Sequence, residues 1–264
     1  MRILVTNDDG INAPGIQVLR QIAEHLSDDV WVVAPESNQS GAAHSLTLQV
    51  PLRCEEVSKQ TYMVRGTPTD CVIMAVRHIM RDAQPDLVLS GVNRGANLAD
   101  DVTYSGTIAG AMEAALIGIR AIALSQTFGF DSSGALHWDT ALEHGPGIVR
   151  DALAFTWDDG MLLNVNFPDL LPNEVEGAVV TRQGSRDQAL LEIEERHDTW
   201  GTPYYWFGFE RRKARLDEGT DLWAIAKNKI SITPLHTNLT HRENLVSLQE
   251  HFECSKAVHS KTTG

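Results

Sequence analysis

Cysteine is scarce in this chain of 264 residues. Cys54, Cys71 and Cys254 are odd in number and scattered, with neither a Cys-x-x-Cys pair nor the Cys/His spacing of a zinc site. That excludes a disulfide framework and a structural zinc centre, and leaves reduced, incidental thiols. Long apolar runs are missing as well. No stretch approaches the roughly 18 residues that cross a bilayer, and no cleavable leader precedes Arg2-Ile3-Leu4-Val5, so a cytoplasmic protein without membrane contact is expected. The Asn-x-Ser/Thr matches at Asn38 and Asn238 then meet no glycosylation machinery. Positive charge is the third shortage: 22 Lys plus Arg against 35 Asp plus Glu give a formal charge of −13. Such a field repels polyanions at long range, which excludes a nucleic-acid polymer as a wrapped partner. A small phosphate ester stays available, because a bound divalent cation inverts the local sign.

What is present is enough apolar residue, 42% of the chain, for a large core. The length is near the limit for one core, so one large domain with an appendage is expected rather than two equal ones. Ile3 to Thr6 is a short β-branched and aliphatic run that predicts a strand buried on both faces. Ile16, Leu19, Ile22, Ala23 and Leu26 fall on one helical face, and Val30 to Ala34 predicts a second buried strand. Leu46 to Val50 and Tyr62 to Val64 read as short strands. Thr67-Pro68-Thr69-Asp70 is a helix start with a cap, a proline at the first position and a capping-box acid, for a helix running to about Met80. Further strands are expected at Asp86 to Ser90, Ala121 to Ser125 and Met161 to Val165, alternating with helices at Ile108 to Ile119 and Thr140 to Phe155. This alternation through about Asn166 predicts an α/β fold, a doubly wound and mostly parallel Rossmann-like sheet.

Beyond Asn166 the pattern changes to aromatic strand-like pieces around a charged bend, then "ISITPL" and a helix at Arg242 to Gln249. Residues 167–250 are therefore read as a hairpin appendage with the last strand and helix. The aromatic excursion suits self-association into a homo-oligomer. A frayed tail is expected over 251–264.

Three polar segments leave the carboxyl ends of predicted parallel strands: Asn7-Asp8-Asp9-Gly10, Ser37 to Gly41, and Ser90 to Thr107. In open parallel sheets ligands collect beyond those ends. The segments offer carboxylates, a hydroxyl and amides, all hard oxygen donors, which suit Mg²⁺, Mn²⁺ or Ca²⁺. Ser105-Gly106-Thr107 opens a helix, where free N–H groups and the positive dipole end favour an anion. Each feature has a plainer reading beside it. Asn-Asp-Asp-Gly is ordinary turn chemistry, Ser and Thr are common caps, and Asn93 and Asn97 are common loop residues. A single loop histidine, His44, reads as solvated. No GxGxxG follows the first strand, so dinucleotide binding lacks support.

Taken in order, NDDG with APGI, SNQSG, GTPTD, SGVNRGAN and DDVTYSGTIAGAMEA resemble the SurE family, the stationary-phase survival protein E nucleotidases. "LNVNFPD", "TRQGSRDQ", "DEGTDLWAI" and "ISITPLHTNLT" look like later family blocks. The sequence departs from the family pattern at Asn228-Lys229-Ile230 and at Asn238, away from the rim. The resemblance implies one divalent metal ion per subunit, Mg²⁺ or Mn²⁺, held by Asp8, Asp9, Ser40 and Asn93. It implies phosphate binding by Asn97, Ser105, Gly106 and Thr107, with Asp8, Asp9 and Asn97 as the catalytic set. The activity it implies is hydrolysis of nucleoside monophosphates at the 5′ position, with 3′-nucleotides and polyphosphate as further substrates to test, in a homodimer or homotetramer. Asp8 as a covalent nucleophile is the alternative within enzymes. A nucleotide-binding module without turnover is the alternative outside them.

Overall fold

A computed structural model describes residues 1–128, 136–186, 191–209 and 216–259. Among the described residues nine strands form one sheet, in the order β3-β4-β2-β1-β5-β6-β7-β11-β8. The strands are β1 (Arg2–Thr6), β2 (Asp29–Pro35), β3 (Cys54–Ser58), β4 (Thr61–Val64), β5 (Leu87–Arg94), β6 (Arg120–Gln126), β7 (Met161–Phe167), β8 (Ala178–Val180) and β11 (Ile230–His236). From β4 to β7 every neighbouring pair runs parallel. β3 adds antiparallel to β4, and β11 lies antiparallel to β7. β8 and β11, late in the chain, thus return to extend the main sheet.

Successive residues of a strand face opposite sides, and the apolar runs use both. Ile3, Val5, Leu87, Leu89, Ile122 and Leu124 pack with α1 (Pro14–Glu24) and α4 (Trp138–Ala154). Leu4, Val88, Ala121 and Ala123 pack on the other face with α2 (Pro68–Met74), which continues as a π-helical turn through Ile79, and α3 (Gly106–Leu116). Each fully buried Leu or Ile contributes about 1.5–3 kcal/mol through burial. These residues are why a buried parallel strand reads as a continuous apolar run. Thr67 caps α2 and exchanges bonds with Asp70 as a capping box.

Three expectations change. Leu46 to Val50 forms no strand: the outer edge of β4 is taken by β3, the Thr47 amide donates to Asp70 Oδ1 at 3.1 Å, and Leu48 and Val50 stay exposed. β5 runs on past Ser90 to Arg94 with a register shift between Ser90 and Asn93. Gly91 makes that possible, with φ +131° and a backbone so close that a Cβ would lie 2.1 Å from the Leu124 carbonyl oxygen. The last helix, Arg242–His259, extends beyond Gln249 into the segment expected as a tail.

β9 (Leu191–His197) and β10 (Pro203–Phe209) form a separate antiparallel hairpin, the appendage. Ile193, Trp200, Tyr205, Trp206 and Phe207 are exposed on it. Among the described residues no helix is long and apolar enough to cross a membrane.

Candidate active site at the carboxyl rim of the sheet

The chain order reverses on either side of β1: β2 and β4 lie to one side, β5, β6 and β7 to the other. The crevice outside β1 and β5 is therefore the topological switch point, where open α/β sheets bind ligands. β1 ends at Thr6, and the Asn7 side chain closes the turn that follows. Its Nδ2 donates to the Gly10 carbonyl at 3.0 Å and its Oδ1 accepts from the Gly10 amide at 3.2 Å. The turn reading of Asn-Asp-Asp-Gly is thus correct, and the turn presents the two carboxylates. Gly10 has φ +102°, and a Cβ there would crowd the Ser37 carbonyl carbon at 3.2 Å. That close approach lets the Gln39 amide donate to the Asp8 carbonyl at 2.7 Å.

Asp8 is 3% exposed. Thr107 Oγ1 donates to its Oδ1 at 2.5 Å. Gly106 is required there, because a Cβ would lie 2.8 Å from Asp8 Cβ. Burial pushes the Asp8 carboxyl up to about 6 from 3.8. The Thr107 hydroxyl and amide pull it down, and the neighbouring charge of Asp9 pushes it up.

Asp9 is half-buried. Its Oδ1 accepts from Asn38 Nδ2 at 3.3 Å and its Oδ2 from the Arg94 amide at 3.0 Å. Asn38 also accepts, on Oδ1, the Ser40 amide at 2.8 Å. Asn38 therefore bridges Asp9 to the Ser40 turn, and Arg94 joins Asp9 to the end of β5, one residue from Asn93. Asn93 donates its Nδ2 to the Gly95 carbonyl at 2.9 Å, which leaves the amide oxygen as the atom it can offer a cation. Among the described residues neither Asp8 nor Asp9 pairs with Lys, Arg or His, and no three His, Cys, Asp or Glu are so placed that they could hold a metal ion by themselves. Two adjacent carboxylates without a cationic side-chain partner, beside the turn that carries Ser40 and the end of β5 that carries Asn93, offer hard oxygen donors that fit a divalent ion.

The residues expected to hold phosphate divide. Ser105 caps α3, accepting from the Ile108 amide at 3.1 Å. Thr107 is fully buried and spends its hydroxyl on Asp8. Asn97 is 5% exposed and anchored beyond β6 and β7. Its Nδ2 donates to Ser125 Oγ at 2.8 Å, its amide to Asn166 Oδ1 at 2.9 Å, and its carbonyl accepts from Asn164 at 2.8 Å and Asn166 at 3.1 Å. Asn38, Ser125, Asn164 and Asn166 were absent from the site expected on sequence. Asn164 and Asn166 carried a signal: polar residues at a spacing of two within an otherwise apolar, doubly buried strand.

Fold and rim together define a doubly wound α/β protein with an oxygen-donor site at its switch point. The family model of survival protein SurE matches residues 3–189. The 5′-nucleotidase SurE of Parvibaculum lavamentivorans is 58% identical over 250 residues, 95% of this chain and 90% of that protein. The 5′-nucleotidase SurE of Methylorubrum populi is 57% identical, over 93% of this chain and 96% of that one. Among solved structures, the SurE protein from Aquifex aeolicus superposes with a TM-score of 0.81 at 39% identity, covering 95% of this chain and 99% of the other. The chain belongs to the SurE family.

Proposed function

We propose that this chain is a divalent-metal-dependent phosphomonoesterase that hydrolyses nucleoside monophosphates. The observation that carries it is the Asp8–Asp9 pair at the switch point, buried or half-buried and without a cationic partner among the described residues. The names of the relatives, 5′-nucleotidase SurE, support the substrate class.

In this reading Asp8, Asp9, Ser40 and Asn93 hold the ion, Mg²⁺ or Mn²⁺. Bound there, a divalent cation neutralises phosphoryl oxygens and lowers the pKa of water. Asp9, which accepts from two N–H donors, orients the attacking water. Asn97 and the amides of Ser105 and Gly106 meet charge on the phosphoryl oxygens, and Thr107 holds Asp8 in place for the ion. The Asn97 anchor on Asn166 and Ser125 keeps that donor preorganised.

Direct attack by water is favoured over a covalent Asp8 intermediate. Asp8 is buried, with one oxygen committed to Thr107 and Gly106 packed against its Cβ, which leaves little access for in-line attack. The stereochemical course with a phosphorothioate monoester chiral at phosphorus, hydrolysed in isotopically labelled water, checks this: inversion supports a single displacement by water, and retention, the mark of two displacements through Asp8, overturns it.

A cytoplasmic homodimer or homotetramer is part of the same reading, supported by the exposed aromatic residues of the β9–β10 hairpin. The decisive experiment is phosphate release from purified protein across nucleoside monophosphates and metals. Activity abolished by EDTA and restored by Mn²⁺ or Mg²⁺ is expected. Nucleotide binding without turnover under every metal would replace the enzyme with a binding module.

A further inference from the structure

Ser40 is exposed, on a stretch that no strand holds: between Pro35 and Cys54 the chain enters no ladder. Gly41 and Ala43 both have positive φ, at +79° and +52°, so the backbone turns sharply just after Ser40. Upstream, the turn is tied to the site by the Gln39 amide on the Asp8 carbonyl and by the Asn38 bridge to Asp9. Downstream the first side-chain tie is His44, whose Nε2 lies 2.9 Å from Glu113 Oε2. Glu113 is well covered, its side chain 15% exposed, and sits on α3 about two turns along from Gly106. Only after His44 does the chain reach α2, where the Ser45 carbonyl accepts from Thr67 Oγ1 at 2.7 Å.

We infer that His44 and Glu113 are positioning residues for Ser40. The pair fastens the turn that carries the Ser40 hydroxyl to α3, the same helix whose first turn holds Asp8 through Thr107. Two ligands that come from distant parts of the sequence are thereby referenced to one rigid element. A ligand on an exposed turn loses conformational freedom when it grips an ion, and a turn fixed beforehand loses less. His44 touches neither substrate nor ion in this arrangement; it acts through Ser40. The inference rests on the metal reading of the rim, and its test separates the two.

The test compares the parent with His44→Ala, Glu113→Ala, Glu113→Gln and the double alanine variant. Hydrogen exchange of residues 39–45 in metal-free protein reads the turn directly. Mn²⁺ affinity without substrate is read by electron paramagnetic resonance, and kcat at saturating Mn²⁺ is read separately. Both single alanine variants are expected to lose protection over 39–45 and to bind Mn²⁺ about five- to tenfold more weakly, as supports behind a ligand do. At saturating Mn²⁺, kcat stays within about twofold of the parent, because the ion once bound is the same. Glu113→Gln still accepts from Nε2 and restores most of the affinity. The double variant matches the singles, as expected for one shared contact. Unchanged protection in His44→Ala, or lost protection with unchanged Mn²⁺ affinity, overturns the inference. A parent that binds no Mn²⁺ removes the metal reading instead, while exchange still shows whether the pair holds the turn.

Discussion

Thr107 Oγ1 donates to Asp8 Oδ1 at 2.5 Å, joining the first turn of α3 to the end of β1. On sequence Thr107 was expected to face phosphate; its hydroxyl is instead committed to the carboxylate. A donor to an ionised carboxylate stabilises the charged form. Thr107→Val keeps the shape and removes the donor, so the Asp8 carboxyl should rise further and compete less well for a cation near neutrality. Mn²⁺ affinity is expected to fall about tenfold, more at pH 6 than at pH 8. Equal affinity in variant and parent at both pH values would reduce Thr107 to a helix residue.

Asp9 predicts a different profile. It is half-buried at a rim, so Asp9→Ala removes charge without opening a core cavity. Turnover should drop by roughly a hundredfold or more, since a proposed ligand and the water-orienting group go together. The thermal midpoint of the metal-free protein should shift little. Activity within a few fold of the parent would remove Asp9 from the site.

Asp8 makes a prediction about stability against pH. Its carboxyl is pushed up from 3.8 to about 6, chiefly by burial. The folded state therefore binds this proton more tightly than the unfolded chain. Its contribution to stability declines as pH rises from about 4 to 6 and stays lost above that. At pH 7.5 the ionised Asp8 should cost metal-free protein up to about 3 kcal/mol. Asp8→Asn carries no such charge, so the metal-free variant should melt above the parent at pH 7.5, with the gap closing by pH 4. Calorimetry of both proteins with EDTA checks it. A gap independent of pH would show that burial of this charge is not what distinguishes them.

The rim was legible because its strands are. Ile3 to Thr6, Val30 to Ala34 and Leu87 to Ser90 are apolar runs too short for helices, each ended by polar residues, and parallel strands buried on both faces produce that pattern. Placing Asp8, Asp9 and the Ser40 turn at one edge followed from it. The Asn97 anchor did not, because it is a long-range network: Asn164 and Asn166 meet the Asn97 backbone from β7, and spacing says which face they share but not what lies across it. Leu46 to Val50 misled for the same reason in reverse. Its alternation is that of a strand, yet strand formation needs a free partner edge, and β3 occupies it. The extension of β5 depended on Gly91 packing against the Leu124 carbonyl, a tertiary contact that local propensity does not encode.

Gly106 tests whether close packing, rather than capping alone, shapes the site. Ser105 supplies the cap through its hydroxyl on the Ile108 amide, and that bond is untouched by a change at the next residue. A methyl at position 106 meets Asp8 Cβ at 2.8 Å and Oδ2 at 3.0 Å, and neither neighbour is the far end of a flexible chain. Gly106→Ala should therefore force Asp8 or the first turn of α3 to move. Alanine favours a helix intrinsically, so a site without this contact would gain stability from the substitution. Overpacking is expected to win, with a loss of about 1–3 kcal/mol in denaturant unfolding and weaker Mn²⁺ binding together. A Gly106→Ala protein that is as stable as the parent and binds Mn²⁺ equally well would show that α3 does not need to lie this close to Asp8.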